Sequence, residues 1–256
     1  MQKRLRLVVA FLIFLLFMGC QKQSEYSHGT KGEYEKVNVD GDISFSYQLY
    51  KPVTESSEPL VIVFHGFGET ENVLNCKIPQ GLSDEKNQNS HPCYILVPQI
   101  EDSVYLDAEK RDALYKEIMD EVDAMVQAGK IDDKRIYVMG NSFGGLGTVE
   151  FTERYPDVVA KAIVMCPALN YSKDAAADIG LMKDVPVWFV HAENDNVIPA
   201  SISEEAVSRL KTLGAKEVYF SKLTDEEMKA VGVSYGYHNA DFAVMADEKY
   251  LEWLFN

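Results

Sequence analysis

Arg135-Ile136-Tyr137-Val138-Met139-Gly140-Asn141-Ser142-Phe143-Gly144-Gly145 is the stretch that decides the fold. A run of apolar and aromatic β-formers enters Gly-x-Ser-x-Gly, and a helix-compatible stretch from Leu146 to Tyr155 follows. Strand, glycine-flanked serine, helix is the order a nucleophile elbow requires. The turn is so tight that the residues two before and two after the serine can carry almost no side chain, which Gly140 and Gly144 satisfy. The serine is then held in a strained backbone that lifts its hydroxyl off the sheet. The helix behind it offers backbone N–H groups to an oxyanion.

Outward from the elbow, the pattern is of buried strands alternating with helices. Pro59–Phe64 is a continuous apolar run that ends at His65-Gly66-Phe67-Gly68-Glu69, and Tyr94–Val97 is a second, ending at Pro98-Gln99. Such runs mark strands covered on both faces. Asp107 to Ala128 reads as an amphipathic helix with Leu114, Ile118, Val122 and Met125 on one face, stopped by Gly129. Ala162–Cys166, Val185–Val190 and Val218–Phe220 are further strands, with a helix between the last two that ends at Gly214. Val37–Val39 and Ile43–Tyr50 form a hairpin about Asp40-Gly41-Asp42, and Ala240 to Phe255 reads as one closing helix. The expected architecture is α/β, a mostly parallel sheet with helices on both faces.

A serine hydroxyl needs a base, and the base needs a group that fixes its tautomer. The chain has five histidines. His28 lies in a polar segment, His91 precedes a proline in a loop, and His65 and His191 close buried strands, where structural roles are expected. His238 falls after the last strand and before the last helix, the place for a base in the chain order serine, acid, histidine. The acid is assigned to Asp195, in the loop after a buried strand, with Glu193 its main competitor and Asp241 a weaker one. Phe143 N–H, directly after the nucleophile, and Phe67 N–H, in the loop after Phe64, are the expected oxyanion donors.

With 256 residues, 46% apolar, the chain suffices for one large domain. Its 40 acidic against 25 basic residues give a net charge of −15, which argues against nucleic acid or an anionic membrane surface as partner. Met1 to Arg6 is basic, Leu7 to Met18 is apolar, and Gly19-Cys20 follows, the layout of an export signal. A Gly-Cys ending resembles the lipobox of bacterial lipoproteins, with Phe17 where leucine is usual. Residues 1–20 are therefore expected to be a signal peptide with Cys20 lipidated, 21–36 a polar tether, and 37–256 the folded domain in the cell envelope. An ordinary cleaved signal or an uncleaved anchor would export the domain equally. Cys76 and Cys93 flank a polar loop, where an exported protein could hold either a disulfide or two thiols. Cys166 is expected to be an inert core thiol.

The motifs His65-Gly66-Phe67-Gly68-Glu69, Val97-Pro98-Gln99, Ile131–Tyr137, Gly140–Gly145, Pro186–His191 and His238 together resemble α/β-hydrolase esterases. The resemblance covers about Pro59 to Phe255, and is to the group with polyhydroxybutyrate-depolymerase-like and feruloyl-esterase-like enzymes, often labelled predicted peptidases. It implies a serine hydrolase with an acyl-enzyme intermediate, no cofactor, and a small ester or acylated polysaccharide as substrate. Phe143 departs from the methionine usual there, and Phe242 from a tryptophan past the base. Both are expected to flank an open pocket walled by Phe67, Phe143, the Pro167–Met182 loop and the Thr224–Tyr237 loop. A prolyl-oligopeptidase-like peptidase is the alternative enzyme, and a catalytically inactive surface lipoprotein the alternative outside enzymes. The intact serine, acid and base argue against the latter.

Overall fold

The structure is a computed structural model that describes residues 31–54 and 56–256. The expected export signal, Cys20 and residues 21–30 of the expected tether, with His28, lie outside the described residues. Among those described, no helix is long and apolar enough to cross a membrane.

One eight-stranded sheet has the order β1-β2-β4-β3-β5-β6-β7-β8. The strands are β1 (Tyr34–Val39), β2 (Phe45–Tyr50), β3 (Glu58–Phe64), β4 (Tyr94–Gln99), β5 (Ile131–Asn141), β6 (Val159–Met165), β7 (Val187–Ala192) and β8 (Val218–Leu223). From β4 to β8 every neighbouring pair is parallel, and β2 is antiparallel to both β1 and β4. The connection order reverses after β4: β3 pairs with β4 on one side and with β5 on the other. Such a reversal leaves a crevice at the carboxyl ends of the strands, where ligands of α/β proteins bind.

The helices are α1 (Lys77–Ser83), α2 (Glu85–Ser90), α3 (Asp102–Tyr105), α4 (Ala108–Gln127), α5 (Phe143–Arg154), α6 (Lys173–Asp178), α7 (Ser201–Thr212), α8 (Asp225–Ala230), α9 (Ala240–Ala246) and α10 (Glu248–Phe255). They cover both faces of the sheet, and β3 shows why its run is unbroken. Leu60, Ile62 and Phe64 enter the core shared with α4 and α5, while Val61 and Val63 enter the core shared with α1, α9 and α10. In α4 the apolar stripe Leu114, Ile118, Val122 and Met125 is buried, as its spacing demands.

Three boundaries differ from expectation. Strand β1 begins at Tyr34, so Tyr34 to Lys36 belong to the sheet and not to a tether; Tyr34 packs edge-on against Tyr50 at 5.3 Å and its hydroxyl donates to the Pro79 carbonyl. The closing helix is two, because Asp247 leaves the helical conformation and its side chain accepts the Lys249 N–H, capping α10. Of the two alternatives left open for Cys76 and Cys93, the structure has two free thiols, and burial pushes the Cys93 thiol up to about 12. Residues 224–237 are partly helical, because Thr224 and Glu227 form a reciprocal capping box at the start of α8.

Candidate active site

The elbow is held by contacts that only glycine permits. A Cβ on Gly144 would be driven into the carbonyl oxygen of Phe64, and one on Gly140 into the carbonyl of Gly144. A Cβ on Gly145 would sit 2.6 Å from the Met165 oxygen, so a third glycine lets α5 settle against β6. Ser142 takes φ 61°, a left-handed value that a side chain rarely adopts. Its N–H donates to Met165 O at 3.0 Å, and its carbonyl accepts from Leu146 and Ala168. These bonds fix the strained turn from both sides.

Three side chains converge above it. His238 Nε2 lies 2.8 Å from Ser142 Oγ, and His238 Nδ1 lies 2.7 Å from Asp195 Oδ2. A carboxylate only accepts, so Nδ1 carries the hydrogen and Nε2 is the lone pair facing the serine hydroxyl. The loop before His238 turns through Gly236 and Tyr237, both at positive φ. It is tied on one side by Asn196 N–H to Gly236 O at 3.1 Å and on the other by Asn141 Nδ2 to His238 O at 3.2 Å. Glu193 is exposed and Asp241 makes no bond to the imidazole, both of whose nitrogens are engaged. Asp241 is buried instead, with Oδ1 unpartnered, and burial followed by the neighbouring Glu69 charge raises it to about 6.

Asp195 is held by four donors. Oδ1 accepts the N–H groups of Val197 and Ile198 at 2.8 and 3.0 Å. Oδ2 accepts from His238 and faces His191 Nε2 at 3.3 Å. His191 Nε2 also lies 2.9 Å from the Ile198 carbonyl, which can only accept, so Nε2 bears the hydrogen and shares it between the two oxygens. Its Nδ1 then accepts from the buried Ser203 hydroxyl at 2.8 Å. Burial of the Asp195 carboxyl would raise it, but the bonds from His191, His238 and Val197 outweigh this and hold it well below the usual carboxylate range. His191 was read from the sequence as a structural histidine; its contact with Asp195 needs the four-residue return from β7 to the acid, which no local pattern reports.

The proposed oxyanion donors stand in a prepared loop. Gly66 N–H donates to Glu69 Oε2 at 2.6 Å and Gly68 N–H to Asp102 Oδ1 at 2.8 Å, leaving the intervening Phe67 N–H uncommitted. Phe143 N–H opens α5, where the first turn has no intrahelical acceptor. Below them His65 Nε2 accepts the Ile100 N–H at 2.9 Å, so its Nδ1–H donates to Gly66 O at 2.6 Å. Tyr105 OH reaches the His65 carbonyl at 2.6 Å, and Arg111 pairs with buried Glu150 of α5 while donating to Tyr105 O. One buried chain thus joins the β3 loop to the elbow helix.

A cleft of about 410 Å³ opens over Ser142 and His238. Phe143 lies in its floor, with its ring 5.2 Å from Phe67 and 5.0 Å from Tyr171. Its other apolar walls are Leu106, Val197 and Ile198, and Glu69 lines it as well. Residues 224–237 do not line it, contrary to expectation, because the Asp195 loop occupies that side. Phe242 is also absent from it and packs under the Lys77 ammonium, 5.4 Å from the ring. Between β6 and β7 only α6 and two single turns intervene, so nothing from that connection roofs the site.

The parallel sheet, the elbow after β5 and the loop after β7 define an α/β-hydrolase fold. The chain belongs to the phospholipase/carboxylesterase family, whose model matches residues 51–234. Among solved structures it is similar to a thermostable esterase, 25% identical, with a TM-score of 0.74 over 87% of this chain and 62% of that one. An acylaminoacyl peptidase from Pyrococcus horikoshii is 15% identical (TM-score 0.61, 87% of this chain, 40% of that one). An S-formylglutathione hydrolase from Staphylococcus aureus is also 15% identical (TM-score 0.65, 88% and 96%). The chain therefore spans less than two thirds of the first two, and the last two share its fold. No curated protein matches the chain.

Proposed function

We propose that the protein is a serine hydrolase that cleaves carboxylic esters of short acyl or aryl acids through an acyl-enzyme. The observation that carries this reading is the unbroken chain from Ser142 Oγ through His238 to Asp195, at 2.8 and 2.7 Å. Ser142 attacks the ester carbonyl as His238 Nε2 takes its proton, and Asp195 keeps the ring in the required tautomer. Phe67 and Phe143 N–H groups receive the oxyanion. His238 then protonates the leaving alkoxide, and water repeats the sequence on the acyl-enzyme. The exposed apolar side chains Phe67, Leu106, Tyr171 and Val197 all ring this one cleft, which supports an apolar or aromatic acyl group and fits the narrower depolymerase and feruloyl-esterase resemblance. A fluorophosphonate probe should label the protein, and Ser142→Ala should not be labelled; labelling elsewhere would reject the site.

Esters should be preferred to amides. An amide leaves as a poor amine that needs prompt protonation while the chain is gripped on both sides. The cleft is open, and Glu69 is its one charged side chain apart from the base. Turnover of p-nitrophenyl acetate or a feruloyl ester is expected to exceed that of any aminoacyl p-nitroanilide in kcat/KM. The reverse order would assign the protein to the peptidases.

His191 gives a prediction in pH. Asp195 is held low, so it stays ionised far into acid. His191→Phe removes one of its donors and lets the carboxyl rise toward the ordinary range. The Asp195 carboxyl, followed by carbon-13 NMR, should then titrate at a higher pH than in the wild type, with KM little changed. A profile superimposable on wild type would mean that His191 only packs.

The signal-like leader supports an exported protein anchored by lipid on Cys20. One acyl chain binds membranes marginally, so stable anchoring needs the several chains a lipoprotein cysteine carries. The full-length protein should fractionate with membranes, and Cys20→Ser should release it or block its processing. A mature N-terminus downstream of Cys20 would reject the anchor.

A further inference from the structure

Cys166 is a buried side chain that the proposed reaction does not use, and its surroundings set it apart. It follows β6 at φ 40°, a left-handed value that, among the described residues other than glycine, only Ser142 and Tyr237 share. Strain of that kind persists where the surrounding structure over-determines it. The Cys166 N–H donates to Val190 O at 3.0 Å, and the N–H groups of Ala192 and Ala240 face its sulfur.

The sulfur lies beside the acid and the base. Cys166, Asp195 and His238 each offer one ligand atom, and these atoms lie within 4.8 Å of one another. Among the described residues no other three histidine, cysteine or carboxylate side chains meet in this way. They come from the end of β6, the loop after β7 and the loop before α9, so no local spacing announces them. Zinc bonds set tetrahedrally hold ligand atoms roughly 3.3–3.6 Å apart. Nδ1 and Oδ2, now at 2.7 Å, need only part slightly to admit an ion while the sulfur closes on it.

We infer that Cys166, Asp195 and His238 bind a thiophilic divalent cation of the zinc class, and that the bound ion switches the enzyme off. A thiolate, an imidazole and a carboxylate make a borderline-soft set that zinc accepts with a fourth position open, whereas calcium and magnesium require oxygen ligands. The two N–H groups at the sulfur would support the thiolate as an outer shell. Without metal, burial and then the Asp195 charge keep the thiol protonated, so it leaves catalysis alone. On binding, sulfur loses its proton to solvent and Nδ1 gives its lone pair to the ion. The imidazole stays neutral, so its hydrogen moves to Nε2 and is donated to Ser142 Oγ. Nε2 then has no lone pair for the serine proton, and attack stops. The inhibitory part rests on the reading of Ser142 as a hydrolytic nucleophile; the binding part does not. The ion enters from the cleft past the imidazole, which is 17% exposed while the Asp195 side chain is wholly covered.

The test titrates the full chain with Zn²⁺ during p-nitrophenyl acetate hydrolysis, each variant being scored against its own metal-free rate. Zinc should inhibit at one ion per chain, and Cys166→Ser should weaken that inhibition about a hundredfold, at or beyond the loss caused by removing an outer-shell partner. Cobalt(II) replaces zinc for a second readout, since a thiolate ligand gives it a near-ultraviolet charge-transfer band. That band should appear in the wild type and in Ser142→Ala, and vanish in Cys166→Ser and in His238→Ala. If Cys166→Ser does not fold, His238→Ala decides by the band alone. Failure of zinc to inhibit, inhibition that survives Cys166→Ser, or a band that survives either ligand variant overturns the site and leaves the esterase reading standing. If p-nitrophenyl acetate is not hydrolysed without metal, the esterase reading fails and the cobalt spectra alone judge the site.

Discussion

Replacing Ser142 with Ala is expected to remove nearly all hydrolysis, with a fall in kcat of roughly 10⁶, the scale seen when a serine protease loses its nucleophile. Alanine keeps a Cβ, so it meets the same left-handed backbone that Ser142 meets, and the bonds that pin the turn are all from main-chain atoms. Folding should therefore be unaffected, and a melting curve beside the kinetics checks this. The activity that survives should reflect binding and the oxyanion donors, which the substitution does not touch. An unchanged rate in a folded variant would end the assignment of Ser142 as nucleophile.

Asp195→Asn should cost roughly 10⁴ in kcat. The two backbone N–H groups from Val197 and Ile198 point at Oδ1 and will claim the one oxygen an amide retains. The amide NH₂ is then turned to Oδ2's place, where it faces His238 Nδ1 and His191 Nε2–H. To accept from that NH₂, His238 must move its hydrogen to Nε2, and it can no longer take the serine proton. Glu193→Gln, on an exposed side chain, should leave the rate within about twofold, since surface substitutions are usually near neutral. If the Glu193 change is the crippling one, the acid has been assigned wrongly.

Much of this was legible in sequence because the signals are local. The buried strands are unbroken apolar runs, and the elbow needs its glycines within five residues. Ser142, Asp195 and His238 could be named because chain order and strand ends restrict where such groups stand, and the structure brings those three together. What escaped depended on contacts between distant segments. Leu106 reaches the cleft from the loop after β4, and Val197–Ile198 displace residues 224–237 from the wall they were given. The break at Asp247 also escaped, because apolar spacing continues from α9 into α10 and only the cap on Lys249 interrupts the backbone. Cys76 and Cys93 carried no signal able to separate a bond from two thiols.

The contact of Gly144 with the Phe64 carbonyl bears on how this chain can diversify. Because β3 and the elbow touch backbone to backbone there, neither can shift without the other, and the N–H groups beside them are kept as one fixed unit. Drift that altered their spacing would have to begin at a position where no side chain fits. The rim has no such restraint: Phe67, Leu106, Tyr171 and Val197 project into solvent and can be exchanged with little strain. A mutational library confined to those four positions should therefore yield variants that differ in the acyl group they accept while sharing one chemical step.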